Sequence, residues 1–254
     1  YGLSISHSKR GNPNPHDAIP YAWDLEFVLT NNDGTHSFNI EGNTKAEDAL
    51  SKFRKLIYAE GSRKNGSVNN FAAGHYVFWT GSIYPNEDAN MTIRQMEDKY
   101  GLLPWPKYVA EQENYGTTSQ DYYSLMTVLD HAASSIPTKG DEISAYLQLA
   151  TEESYTSVRG YYFNRIVKPK YFGQDDSLGT VTKSVAIFDD IISHIRFDFW
   201  TVYSNQLGNL TWAWRTSLLP DWNTLEAQYI SRQTEFDEKL LEMDEWFGLV
   251  TIED

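Results

Sequence analysis

The stretch "DKYGLLPWPKYVAEQENYGT" (98–117) decides how the chain is read. It joins a short apolar segment, Gly101 to Leu103, to two prolines flanking Trp105, and then to a polar run ending in Tyr115-Gly116-Thr117. The apolar part reads as a short strand. The prolines fix φ and give no N–H to a ladder, so they mark where such a strand leaves its sheet. Nothing in the stretch resembles a catalytic signature, and its meaning depends on what lies on either side.

Toward the N-terminus the chain alternates strand and helix patterns. "LSISH" (3–7) alternates apolar and polar residues as a strand does, and a breaker-rich loop (8–17) follows it. "LEFVLTNNDGTHSFNI" (25–40) reads as two strands around the turn Asn32-Asp33-Gly34. This acidic loop lacks the later carboxylate of a calcium hand, so a hairpin turn is the better reading. Thr44 with Glu47 makes a capping box, and Ala46, Leu50, Phe53 and Ile57 repeat on one helical face until Gly61 supplies a stop. In "FAAGHYVFWTGS" (71–82), His75 to Thr80 reads as a buried strand ending at a glycine.

Toward the C-terminus the pattern turns helical. Thr138 and Asp141 can cap a helix carrying Ile143, Leu147 and Ala150. Val181, Val185, Phe188, Ile192 and Ile195 mark a second helix, and Trp222, Leu225, Tyr229, Phe236, Leu240 and Phe247 a third. Strands with an early helix, followed by packed C-terminal helices, belong to an α/β or α+β class.

Composition limits the function. A chain of 254 residues with 41% hydrophobic and 22% charged residues can bury a substantial core. A formal net charge of −14 disfavours nucleic acid or an anionic membrane as partner, since both reward clustered Lys and Arg. There is no cysteine, which excludes disulfides, thiolate nucleophiles and zinc–sulfur sites. The aromatic fraction of 15% is the one excess, and amphipathic rings suit either a core or a cleft whose ligand offers C–H faces and hydroxyls.

Catalytic chemistry finds little support. Glu152-Glu153 and Asp175-Asp176 are adjacent carboxylates, but sequence neighbours point to different sides of a helix, whereas a glycosidase sets its two carboxyls across one sugar bond. Asp175-Asp176-Ser177 reads as a turn or cap. The six His show no metal-ligand spacing, no Gly-rich loop suggests phosphate, and no Ser sits in a nucleophile elbow. The expectation is a protein that is not an enzyme and needs neither cofactor nor metal.

Four ordered segments carry a resemblance: "NNFAAGHYVFWTGS", "YGLLPWPKYVAEQENYGT", "SIPTKGDEISAYLQLATEESYTSVRGYYFNRIVKPKYFGQDDS" and "IRFDFW". Their order is similar to that in extracellular solute-binding proteins, family 1, the carbohydrate receptors of bacterial ABC importers, over roughly residues 40 to 200. The resemblance implies an α/β fold of the periplasmic-binding-protein-like type II, two lobes that close around a sugar. Most of residues 1–254 would then be the second lobe with its C-terminal helices, and a crossover segment of about 100–150 would belong to the first. It further implies an extracellular, lipid-anchored bacterial protein whose partners are a sugar or oligosaccharide and the membrane permease subunits of the importer. Tyr1 to His7 would match a second-lobe strand, so the expectation is a fragment lacking most of the first lobe, prone to self-association through the uncovered face. A carbohydrate-active enzyme and a non-catalytic surface carbohydrate-binding or adhesion module stand as alternatives.

The ligand-binding candidates follow from that position. Trp79, at a strand end before Gly81, is the first choice for stacking on a pyranose face. Tyr21 and Trp23 match the place where the family carries cleft aromatics. Trp212 and Trp214 are further candidates, although a spacing of two sends them to opposite sides of a strand or about 200° apart on a helix. Asp24 and Arg215 are candidate hydroxyl partners. Trp105 reads equally as a hinge residue or as a packing anchor.

Overall fold

A computed structural model describes residues 1–5, 15–64, 68–81, 92–93, 95–119, 128, 139–169 and 180–250. Its first strand, β1 (Leu3–Ile5), turns Ser4 and Ile5 inward and lies at the centre of a three-stranded parallel sheet. The crossover that follows holds a 3₁₀ turn (Pro15–Ala18), helix α1 (Ile19–Ala22), a hairpin of β2 (Val28–Thr30) and β3 (His36–Phe38), and helix α2 (Thr44–Tyr58). The chain then returns as β4 (Ser62–Lys64) on one side of β1, and helix α3 (Val68–Ala72) carries it across to β5 (Phe78–Trp79) on the other. Leu3 lies level with Ser62 and Phe78, and Ser4 with Arg63 and Trp79.

The hairpin forms as its turn residues dictate. Asp33 Oδ1 accepts from the Thr35 N–H at 3.0 Å, and Gly34 adopts φ +89°, a value that a side chain would strain. Val28, Leu29 and Thr30 then pair antiparallel with Phe38, Ser37 and His36. Helix α2 buries Ala46, Ala49, Leu50, Phe53 and Ile57, the face its periodicity predicts. Its cap differs from the capping box: Asn43, one residue before Thr44, accepts the Ala46 N–H at 3.0 Å. Asn is at least as good a cap as Thr, and the turn at Gly42 presents it first.

Two other strand expectations are corrected. His75–Thr80 yields only the two-residue β5 at a sheet edge, with Val77 69% and Phe78 52% exposed, because one neighbour, β1, covers only one side of it. Gly101–Leu103 forms no strand. The Leu102 N–H instead donates to Ser184 Oγ at 3.1 Å, so a side chain satisfies the backbone where a ladder was expected.

The helical half comprises α4 (Lys139–Glu153), which runs on without a break through π-helical turns at Ser154–Arg159 and Tyr162–Val167, then α5 (Thr180–Ser193), α6 (Phe199–Val202), α7 (Leu210–Ser217), α8 (Leu225–Ile230) and α9 (Gln233–Trp246). The expected third helix is thus two. At the break Arg232 turns its guanidinium back to the Gly208 carbonyl at 3.2 Å and to Glu235 at 2.6 and 2.8 Å. Tyr229 and Phe236 from the two pieces still meet Phe38 of β3, at ring separations of 5.3 and 5.6 Å.

The fold is therefore mixed α/β and dominated by helix. Its main core gathers β1, α1, the hairpin base, α2 and α6–α9 around Trp200, Trp214, Tyr21, Phe27 and Phe53. A smaller cluster, Val167 and Phe188 with Leu102, Phe163, Val185 and Ile192, joins the end of the long helix to α5. Ser6 and His7, Thr138 and Asp175-Asp176 lie outside the described residues.

Candidate ligand-binding site

The stretch 98–117 is a strap. Prolines 104 and 106 keep it extended, so few of its backbone groups meet a neighbouring strand, and side chains tie it down instead. Trp23 Nε1 donates to the Pro106 carbonyl at 2.9 Å. Gln112 Nε2 donates to the Ala22 carbonyl at 2.7 Å, and its Oε1 accepts the Tyr108 N–H at 3.1 Å. The Tyr108 hydroxyl donates to Asp48 of α2, and Lys52 stands over the Tyr108 ring at 4.3 Å. Gly116 passes so close to the Tyr21 carbonyl that a Cβ would collide with it. Beyond it, Thr117 pairs in parallel with Ile195, its carbonyl accepting from the Arg196 N–H at 3.0 Å.

Between the strap and the edge strand lies a cavity of about 490 Å³. The β5 segment from Val77 to Gly81 forms one wall and Tyr100 to Pro106 of the strap another, with Leu3, Leu56, Phe71 and Ile93 filling in between. The Trp79 indole is held against Phe71, with ring centroids 6.2 Å apart and an interplanar angle of 27°. It lies over Gly81, where any Cβ would collide with the ring. Trp105 is edge-on to Phe53 at 6.2 Å, so it anchors the strap to α2 while lining the cavity. The packing-anchor reading of Trp105 is the one this contact supports. The volume is that of a small-ligand site, and among the described residues no carboxylate lines it.

Of the candidate ligand residues, Trp79 alone lines this cavity. The structure places Tyr21, Trp23, Trp214 and Arg215 in the interior and not at this cavity. Tyr21 is fully buried in α1; its hydroxyl donates to Thr201, and burial pushes its pKa up. Trp23 packs on Phe53 and Tyr108 at 6.1 and 5.8 Å, and Trp214 on Phe27 at 5.5 Å. The physical reason is common to these rings: the large aromatics next to α1 and in α7 are the pieces big enough to fill the space between sheet and helices. Arg215 grips Asp17 with two bonds, Nε–Oδ1 at 2.9 Å and Nη2–Oδ2 at 2.8 Å, a fork geometry that neutralises a mostly buried guanidinium.

The remaining two are at the surface but elsewhere. Trp212, on the opposite side of α7 from Trp214, is 38% exposed. Asp24 adopts φ +50° and pairs with Arg196 Nη2 at 2.9 Å, while that guanidinium also donates to the Tyr21 carbonyl at 3.0 Å. Asp198, two residues on, is held above its ordinary pKa by burial, against the pull of Arg196. Sequence reading missed Phe71, Tyr100 and Leu56 as cavity residues; nothing in their local patterns distinguishes a ring facing a void from one facing a core. Comparison of this chain with family models, with curated proteins and with solved structures finds no match.

Proposed function

We propose that this chain is the sugar-recognising portion of an extracellular solute-binding protein, with one lobe of a periplasmic-binding-protein-like type II fold, that presents a carbohydrate to the permease subunits of an ABC importer. The observation that carries the reading is the aromatic cavity at the carboxyl end of β5, with Trp79 on one wall and Trp105 on the other. Open parallel sheets take ligands beyond the carboxyl ends of their strands. Indole faces match the C–H faces of pyranose rings, and the Thr80 hydroxyl, which donates to the Ser4 carbonyl at 3.2 Å, keeps lone pairs that can accept from a sugar hydroxyl. The order of the four sequence segments supports the same reading.

Titration calorimetry and tryptophan fluorescence with a panel of oligosaccharides test it. Saturable binding is expected, and Trp79→Ala should weaken it by about 1–3 kcal/mol, the usual range for a ring at the centre of a contact, with little change in Tm. A large loss of stability with unchanged affinity would make Trp79 a packing residue. Absence of saturable binding to every glycan in the panel sinks the reading.

A further inference from the structure

We propose that the long helix of residues 139–169 binds the same helix of a second copy of this chain, antiparallel and about a two-fold axis at Glu153. Three observations point there. The first is exposure: the helix runs for 31 residues, about 45 Å, yet Val167 is its one buried residue. Tyr146, Leu149, Tyr155, Val158 and Tyr161 are each between 62% and 69% exposed. Tyr146, Leu149 and Tyr161 share one face, with Tyr155 on the other side, and exposed apolar and aromatic surface of this kind is a mark of an interface.

The second is a stripe. Glu142, Tyr146, Leu149, Glu153, Ser157, Tyr161 and Arg165 are all exposed and follow one another at steps of three or four residues. Steps of four keep one face through the π-helical half, where each turn takes more residues than an α turn. The partly buried residues Ile143, Leu147, Ala150 and Phe163 and the buried Val167 turn another way.

The third is charge, which selects the occupant and its direction. Residues 139–153 carry four acids, Asp141, Glu142, Glu152 and Glu153, against one base, Lys139. Residues 154–169 carry Arg159, Arg165 and Lys168 and no acid. An antiparallel second copy sets each half against its opposite. With the axis at Glu153, Glu142 meets the Arg165 of the other copy, Tyr146 meets Tyr161, and Leu149 meets Ser157 and Val158, each contact occurring twice as a two-fold requires. Neither Glu142 nor Arg165 has an ion-pair partner among the described residues. Four tyrosine rings bring on the order of 500 Å² to the contact, and the aliphatic and polar residues around them raise it toward the ~1,000 Å² that a specific interface needs.

The test uses the full chain. Sedimentation equilibrium should show monomer and dimer in exchange. Glu142→Arg or Arg165→Glu alone should weaken the dimer about tenfold, because the symmetry repeats the broken pair, and the two together should restore it to within about twofold. Glu153→Gln should tighten it by removing a like-charge contact on the axis. Because the chain has no cysteine, single introduced thiols report the geometry directly. Glu153→Cys should form an intermolecular disulfide on mild oxidation, and Glu142→Cys should not, since antiparallel packing holds the two copies of position 142 about 35 Å apart. A chain that stays monomeric, charge reversals that do not rescue one another, or equal cross-linking at both positions overturns the proposal. A monomer would mean that something other than a second copy covers this face. The sugar reading stands or falls separately, since Trp79 is not on this helix.

Discussion

At Gly116 the absence of a side chain is a packing requirement. Its Cα faces the Tyr21 carbonyl, and a Cβ would penetrate that backbone group, which cannot swing aside as the end of a side chain could. Gly116→Ala should therefore cost about 1–3 kcal/mol, the range for overpacking, measured as a shift of the urea midpoint without change of slope. Tyr229 makes a second residue-scale claim. Burial, reinforced by its 2.9 Å bond to Asp237 Oδ1, pushes its pKa up to about 12. The folded state then keeps a proton that the unfolded chain releases near pH ~10. Its contribution to stability is complete below that pH and is lost as the pH rises toward 12. Alkaline unfolding followed by phenolate absorbance should show this loss, and Tyr229→Phe should flatten the stability curve in that window.

Elements are held by a few specific bonds whose partners the local pattern only partly reveals. Helix α2 begins where the sequence places a cap, but Asn43 performs the capping. Asn43→Ala should destabilise by about 1 kcal/mol and Thr44→Ala by clearly less, a difference readable in paired thermal melts. The amphipathic face of α2 and the hairpin turn at Gly34 were legible because both are set by residues within a few positions of one another. The strap was not. Its apolar Leu102 and Leu103 have the composition of a strand, yet the hydroxyl of Ser184, 82 residues away, takes the N–H that a ladder would have used. The same limit explains β5, whose apolar run resembles a buried strand although Val77 and Phe78 stay largely exposed at the cavity.

Across the whole molecule, the N-terminal hairpin and the C-terminal helix share one latch. Asp244 of α9 accepts the His36 N–H at 2.8 Å and pairs with His36 Nδ1 at 2.5 Å, beneath Phe199 stacked on the imidazole at 4.0 Å. Asp244→Ala leaves a backbone donor unpaired in a largely buried position, so a loss of about 1–3 kcal/mol is expected. Hydrogen exchange should then rise together in 36–38 and 233–246, and faster exchange in the helix alone would show that the two are not coupled through this pair. By itself the sequence determined the mixed α/β class, the buried face of α2, Phe188, Leu225, Tyr229, Phe236 and Leu240 as core residues of the later helices, and Trp79 as a ring at a strand end, because periodicity, turns and strand ends are local. The expected face of α4 stays only half-buried at Ile143, Leu147 and Ala150, and Trp222 and Phe247 are exposed. Only the tertiary structure decided that Tyr21, Trp23 and Trp214 fill the core while Trp79 and Trp105 line a cavity. Tryptophan and tyrosine lower their free energy in either setting, and which one each meets depends on chain segments brought together from far along the sequence.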